Sequence, residues 1–81
     1  MATFFPQKGP AQRVETPLTL TRLQMLVKGF IQFIDTPSGD VMVVNESANK
    51  FAQMNATASS IAGKAGPVYG DVVLCDPTEI A

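Results

Sequence analysis

Residues 30–45, FIQFIDTPSGDVMVVN, decide the fold. FIQFID is rich in residues that favour strands. Ile31 and Phe33 share one face of it, and Phe30, Gln32 and Ile34 share the other. Pro37, Ser38 and Gly39 make a turn. The second strand, Val41–Val44, is apolar on both faces, which predicts a strand that is central or covered on both sides. The stretch therefore reads as a β-hairpin.

Upstream, Leu20, Leu23, Leu26 and Val27 recur at helical spacing, and Thr19 or Thr21 can cap the start. Lys28 followed by Gly29 is a helix stop, so the first helix is predicted over about residues 19–28. Residues 1–12, with Pro6, Gly9 and Pro10, read as a flexible N-terminal arm on which Phe4 and Phe5 would dock. Downstream, a short second helix starts at Asn55 or Thr57 and stops at Gly63. GPVYGDVVLCD then reads as a last strand, with Val68, Val72 and Leu74 on one face and Tyr69, Val73 and Cys75 on the other. The order helix, hairpin, helix, strand predicts an α+β domain over residues 13–81. Its small, mainly antiparallel sheet (hairpin plus C-terminal strand) carries two short helices.

A chain of 81 residues supplies one domain with a marginal core, since such a domain buries only about 60–65% of its unfolded surface. Charged residues are 16%, against roughly 25% in average soluble domains. That neutral surface suits a subunit interface, so a homo-oligomer is expected. The net charge is −1 and there is no run of Lys or Arg, which excludes duplex nucleic acid as an expected partner. One cysteine and no histidine fit a reducing compartment. No export or membrane segment is legible, so a cytoplasmic location is expected, with no membrane partner. Asn55-Ala56-Thr57 and Asn45-Glu46-Ser47 then match the glycosylation sequon by chance.

The chemistry is limited. Zinc sites need more Cys and His than this chain has, and a catalytic triad lacks its base. Only paired carboxylates remain, Asp35 with Asp40 or Asp71 with Asp76. Asp35 and Asp40 flank a turn, and Asp71 and Asp76 fall on opposite faces of a regular strand. No enzyme and no cofactor are expected. ASSIAGKA, residues 58–65, approaches a phosphate loop but has Ala58 for its first Gly and Ala65 for its Ser/Thr. A helix start can still hold an anion on its free N–H groups, or it can simply be capped by Asn55 and Thr57. The candidate ligand-binding residues are Asn55, Thr57, Ser59, Lys64, Tyr69, Phe51 and Arg22: a polar helix start, two aromatics beside turns and two cations. Each also has a plain structural role open to it, as cap, core or solvated surface.

LTRLQMLVKGFIQFID, VVNESANK and QMNATASSIAGKAGPVYGDVVLCD together resemble a small domain-of-unknown-function family of phages, plasmids and actinobacteria. The matching positions are Leu23-Gln24, Gly29, Ile31, Asn45-Glu46, Asn55 and Gly70-Asp71-Val72-Val73, within about residues 17–76. The family's Ala-Thr after Asn is Ala58-Ser59 here, and its turn Gly is Asn49. The resemblance implies a small phage accessory protein without a catalytic role. By analogy of size and setting, it implies an anti-defence sponge: a homo-oligomer that sequesters a small anionic, nucleotide-like ligand such as a cyclic nucleotide or cyclic ADP-ribose signal in the host cytoplasm. The alternative expectation is an interaction module that inhibits a host defence protein or joins an assembly. It is motivated by the low charge and by Phe4 and Phe5.

Overall fold

The hairpin forms where the alternation puts it. The structure, a computed structural model, describes residues 2–81. Strand β1 is Ala2–Phe5, β2 Gln12–Val14, β3 Ile31–Asp35, β4 Val41–Asn45 and β5 Val72–Cys75. Helix α1 is Leu20–Val27 and α2 is Ala56–Ala62, with single 3₁₀ turns at Ala48–Lys50, Gly63–Ala65 and Pro77–Glu79. β3 pairs with β4 without a bulge, from Ile31 opposite Asn45 to Asp35 opposite Val41. Thr36 closes the turn by donating its hydroxyl to the Asp40 carbonyl at 2.9 Å, and Gly39 takes the positive φ of +91° that the turn needs.

All five strands join one antiparallel sheet in the order β2-β1-β5-β4-β3. This is the small α+β fold the sequence predicts, with one difference at the N-terminus. Ala2–Phe5, expected within a flexible arm, lies inside the sheet between β5 and β2. Pro6, Gly9 and Pro10 belong to the connection from β1 to β2. Phe4 packs on one face of the sheet and Phe5 on the other, as neighbours in a strand must.

The sheet is covered on both faces. On one, Leu23 and Val27 of α1 pack with Ala2, Val43, Val73 and Cys75. On the other, Ala58 and Ala62 of α2 pack with Met42, Val44 and Val72. β4 is therefore buried from both sides, which is why its run of four is apolar throughout. The small residues of α2 let its backbone lie close to the sheet.

Two element ends differ from the sequence pattern. Thr19 caps α1 by accepting the Arg22 N–H at 3.1 Å, but Lys28, not Gly29, takes the left-handed cap conformation, at φ 66°. β5 begins only at Val72, because Gly70 at φ +75° turns the chain before it. Val68 and Tyr69 precede that turn, and Tyr69 pairs instead with Met54.

Cys75, at the end of β5, is a buried free thiol, and its flanks, Leu74 and Asp76, offer no activating cation. Burial first, then the carboxylates of Glu79, Asp40 and Asp76, push its pKa above the ordinary value of 9.0. The unfolded thiol then ionises at lower pH than the folded one. Above the unfolded value the folded state holds more protons, so stability falls as pH rises through the alkaline range. The urea midpoint should drop more between neutral and alkaline pH in the wild type than in Cys75→Ala, and a thiol reagent should label the protein only as fast as it unfolds. Prompt labelling of the folded protein would contradict this burial.

Candidate functional site

The start of α2 is closed by its own side chains. Asn55 is only 2% exposed. Its Oδ1 accepts the Ala58 N–H at 3.1 Å, the cap expected of it. Its Nδ2 donates to the carbonyls of Gly70 at 2.8 Å and Phe5 at 3.0 Å. Its own N–H donates to the Val68 carbonyl at 2.8 Å. Every hydrogen-bonding group of Asn55 is therefore engaged, and it ties α2 to β1 and to the turn before β5. Ser59 is used in the same way: its Oγ accepts the Val68 N–H at 2.9 Å and lies 3.2 Å from the Val68 carbonyl. Of the candidate residues at this helix start, only Thr57 is exposed. Lys64 is exposed on the turn beyond α2, and Arg22 is exposed on α1, across the sheet. The seven candidates are not brought to one place.

A cleft of about 300 Å³ opens instead where the loop after β1, the end of α1, the turn after β4 and the turn before β5 meet. Gln7, Lys8, Lys28, Asn45, Phe51 and Asp71 line it, over a floor of Val27, Ala48, Ala52 and Gly70. The Asp71 carboxylate organises one wall. Its Oδ1 accepts the Gln7 N–H at 2.7 Å, and its Oδ2 lies 3.3 Å from Lys28 Nζ. The Gln7 side chain in turn accepts the Gln53 N–H at 3.0 Å. Asn45 is buried and fixed, donating Nδ2 to the Val27 carbonyl at 3.1 Å and accepting the Ser47 N–H at 2.8 Å. Lys28 is 74% exposed, so its pair with Asp71 is a solvated one that a stronger anion can displace. Phe51 is 66% exposed and leaves an aromatic ring at the cleft.

Of the sequence candidates, Phe51 belongs to this cleft. Tyr69 lines a second, more polar hollow of about 250 Å³ with Gln32, Glu46 and Asn49, and the two hollows share Asn45 and Ala48. Sequence reasoning missed Gln7, Lys8 and Lys28. The first two fall in the expected arm, and Lys28 is fully explained as a helix stop. Asp71 stands out in the sequence as half of a carboxylate pair and among the positions of the family resemblance, neither of which places it at a cleft. No local spacing joins them, because Gln7 and Asp71 are 64 residues apart.

Among the described residues, no three His, Cys, Asp or Glu side chains converge as metal ligands, and no helix is long and apolar enough to cross a membrane. Asp76 serves the C-terminal 3₁₀ turn: hydrogen bonds from the Thr78 N–H and hydroxyl hold its pKa below the ordinary carboxylate value. No protein-family model, no curated protein and no solved structure matches the chain.

Proposed function

We propose that this protein binds a small phosphorylated ligand in the cleft between Lys8, Lys28 and Phe51 and holds it without chemical change. The observation that carries the reading is the convergence of two lysines and an exposed aromatic ring on one hollow, from segments far apart in sequence. Lysine ammoniums suit phosphate as point charges, and an open aromatic face suits a base. The volume is at the bottom of the range for ligand pockets, roughly 300–1,000 Å³, so the cleft suits a single cyclic mononucleotide better than a signal with two bases. Sequestration of an immune signal, as a phage anti-defence sponge in a host cytoplasm, extends this reading by analogy of size and setting. In that role a stoichiometric binder needs no turnover.

Calorimetric titration with cyclic mononucleotides tests this. Charge-assisted hydrogen bonds contribute roughly 1.5–3 kcal/mol. Removing one lysine should therefore weaken binding about tenfold or more, and Lys8→Ala/Lys28→Ala should abolish it. Lys64→Ala, a cation outside the cleft, should leave it unchanged. Asp71→Asn keeps an acceptor for Gln7 but frees Lys28, so it should tighten binding several-fold. Absence of heat with every nucleotide, or equal losses from Lys64→Ala and Lys28→Ala, would remove the proposal.

A second reading, an interaction module that joins an assembly, is favoured by the apolar side chains left exposed on and after α1: Leu20, Met25, Phe30 and Phe33.

A further inference from the structure

The two edges of the sheet differ. β2 is three residues long and carries a cation, Arg13, at its centre. Short, charged edges resist pairing with another chain. β3, the other edge, is five residues long and runs in unbroken register with β4. It has no lysine, no proline and no bulge; its one charge is Asp35 at the end. Phe33 within it is 52% exposed, and Phe30 just before it is 72% exposed. None of the usual guards stands on this edge.

The hydrogen-bond parity shows which groups are free. Glu46 N–H donates to the Phe30 carbonyl, and Thr36 N–H donates to the Asp40 carbonyl. With the register constant between them, the even residues of β3 bond inward to β4. The N–H and C=O groups of Ile31, Phe33 and Asp35 point outward from the sheet. Among the described residues, no other strand lies on that side.

We infer that β3 pairs with β3 of a second copy of this chain, antiparallel about a two-fold axis at Phe33. The three outward residues make this register self-complementary. Phe33 pairs with its own counterpart, and Ile31 with the other copy's Asp35. All three pairs are hydrogen-bonded, two bonds to each, so every outward group is satisfied. A shift by two residues either way loses one of the three pairs. Phe33 and its counterpart then stand side by side on one face, an arrangement that stabilises antiparallel sheets. The two Asp35 carboxylates lie at opposite ends of the ladder, so no like charges meet. A second copy presents the same outward groups and an equally exposed Phe33, so the edge complements itself. The two sheets become one ten-stranded sheet, and the ligand cleft, which β3 does not line, stays open. The contact is small against the roughly 1,200–2,000 Å² of a standard interface. The dimer should therefore dissociate on dilution.

Sedimentation velocity on the full chain over a dilution series tests the inference. The expected result is a monomer–dimer equilibrium. Phe33→Lys, which sets two cations against each other at the axis, should be monomeric throughout with an unchanged circular dichroism spectrum. Phe51→Lys, at the cleft, should still dimerise. Register is read by cross-linking: Phe33→Cys should oxidise to a covalent dimer, and Met54→Cys, equally exposed but off the edge, should not; Cys75 is buried and stays silent. A wild type that is monomeric at its highest soluble concentration overturns the inference. So does a dimer that persists in Phe33→Lys, or equal cross-linking at positions 33 and 54. None of these outcomes bears on nucleotide binding in the cleft.

Discussion

Asn55→Ala is expected to remove a large share of the protein's stability. The substitution removes one buried side chain, leaves the Gly70 carbonyl and the Ala58 N–H without partners, and takes from the Phe5 carbonyl the second donor it has beside its ladder partner in β5. Each buried orphan costs about 1–3 kcal/mol, and losses within one network do not simply add. A total of about 3–5 kcal/mol is reasonable on that scale. A domain of 81 residues has roughly 4–12 kcal/mol to lose, at about 0.05–0.15 kcal/mol per residue. The urea midpoint should fall far below the wild-type value, or the transition should vanish. Asn55→Asp separates the two halves of the role. It keeps the acceptor for Ala58 N–H but turns the donor into an acceptor aimed at two carbonyls. It should be at least as damaging near neutral pH, and partly recover on acidification, when the carboxyl can donate again. A loss under about 1 kcal/mol in Asn55→Ala would mean that β1, α2 and the turn at Gly70 are held by something else.

The same residue shows what was legible in the sequence. Asn before a short run of small residues is a cap signal, and the cap is there. That Asn rather than Thr57 caps, and that its amide also reaches Phe5 and Gly70, needs partners 50 and 15 residues away. The hairpin was readable because its pairing is local and both strands alternate or fill as burial demands. β1 was not readable. Its four residues are too few for a period, and Thr3 pairs with Leu74 near the other end of the chain. The cleft was illegible for the same reason: it is assembled entirely from non-local contacts. Phe51 could be suspected because it sits beside a turn and belongs to no apolar stripe, and in the structure it lines the cleft. Lys28 gave no such signal, since its position at the end of α1 already accounts for a cation.

Gly29→Ala links that hidden part of the site to the fold. Gly29 has no positive φ to explain it, yet a Cβ built there would lie 2.6 Å from Asn45 Nδ2 and 3.3 Å from its Cγ. The Asn45 amide cannot swing aside at little cost. It is buried, it caps the Val27 carbonyl at the end of α1, and it accepts the Ser47 N–H. Overpacking of this kind costs about 1–3 kcal/mol, and breaking the Asn45–Val27 bond leaves a helix-end carbonyl unpaired. The gain from a stiffer unfolded chain is only about 0.4–1 kcal/mol. A net loss of about 2 kcal/mol is expected by urea titration. The cause can be isolated in a double-mutant cycle: on an Asn45→Ala background the clash is gone, and Gly29→Ala should be neutral or slightly stabilising. An equal cost on both backgrounds would place the strain elsewhere. The close approach of Gly29 to Asn45 also sets where the preceding residue, Lys28, leaves the helix at its left-handed φ and reaches Asp71. If Lys28 binds phosphate from that position, Gly29→Ala should weaken nucleotide binding even where the protein remains folded. Asn45→Ala/Gly29→Ala should be no less stable than Asn45→Ala alone but should not recover the affinity, because Asn45 is itself a wall of the cleft. Separate responses of the two readouts are what distinguish a residue that shapes the site from one that only packs.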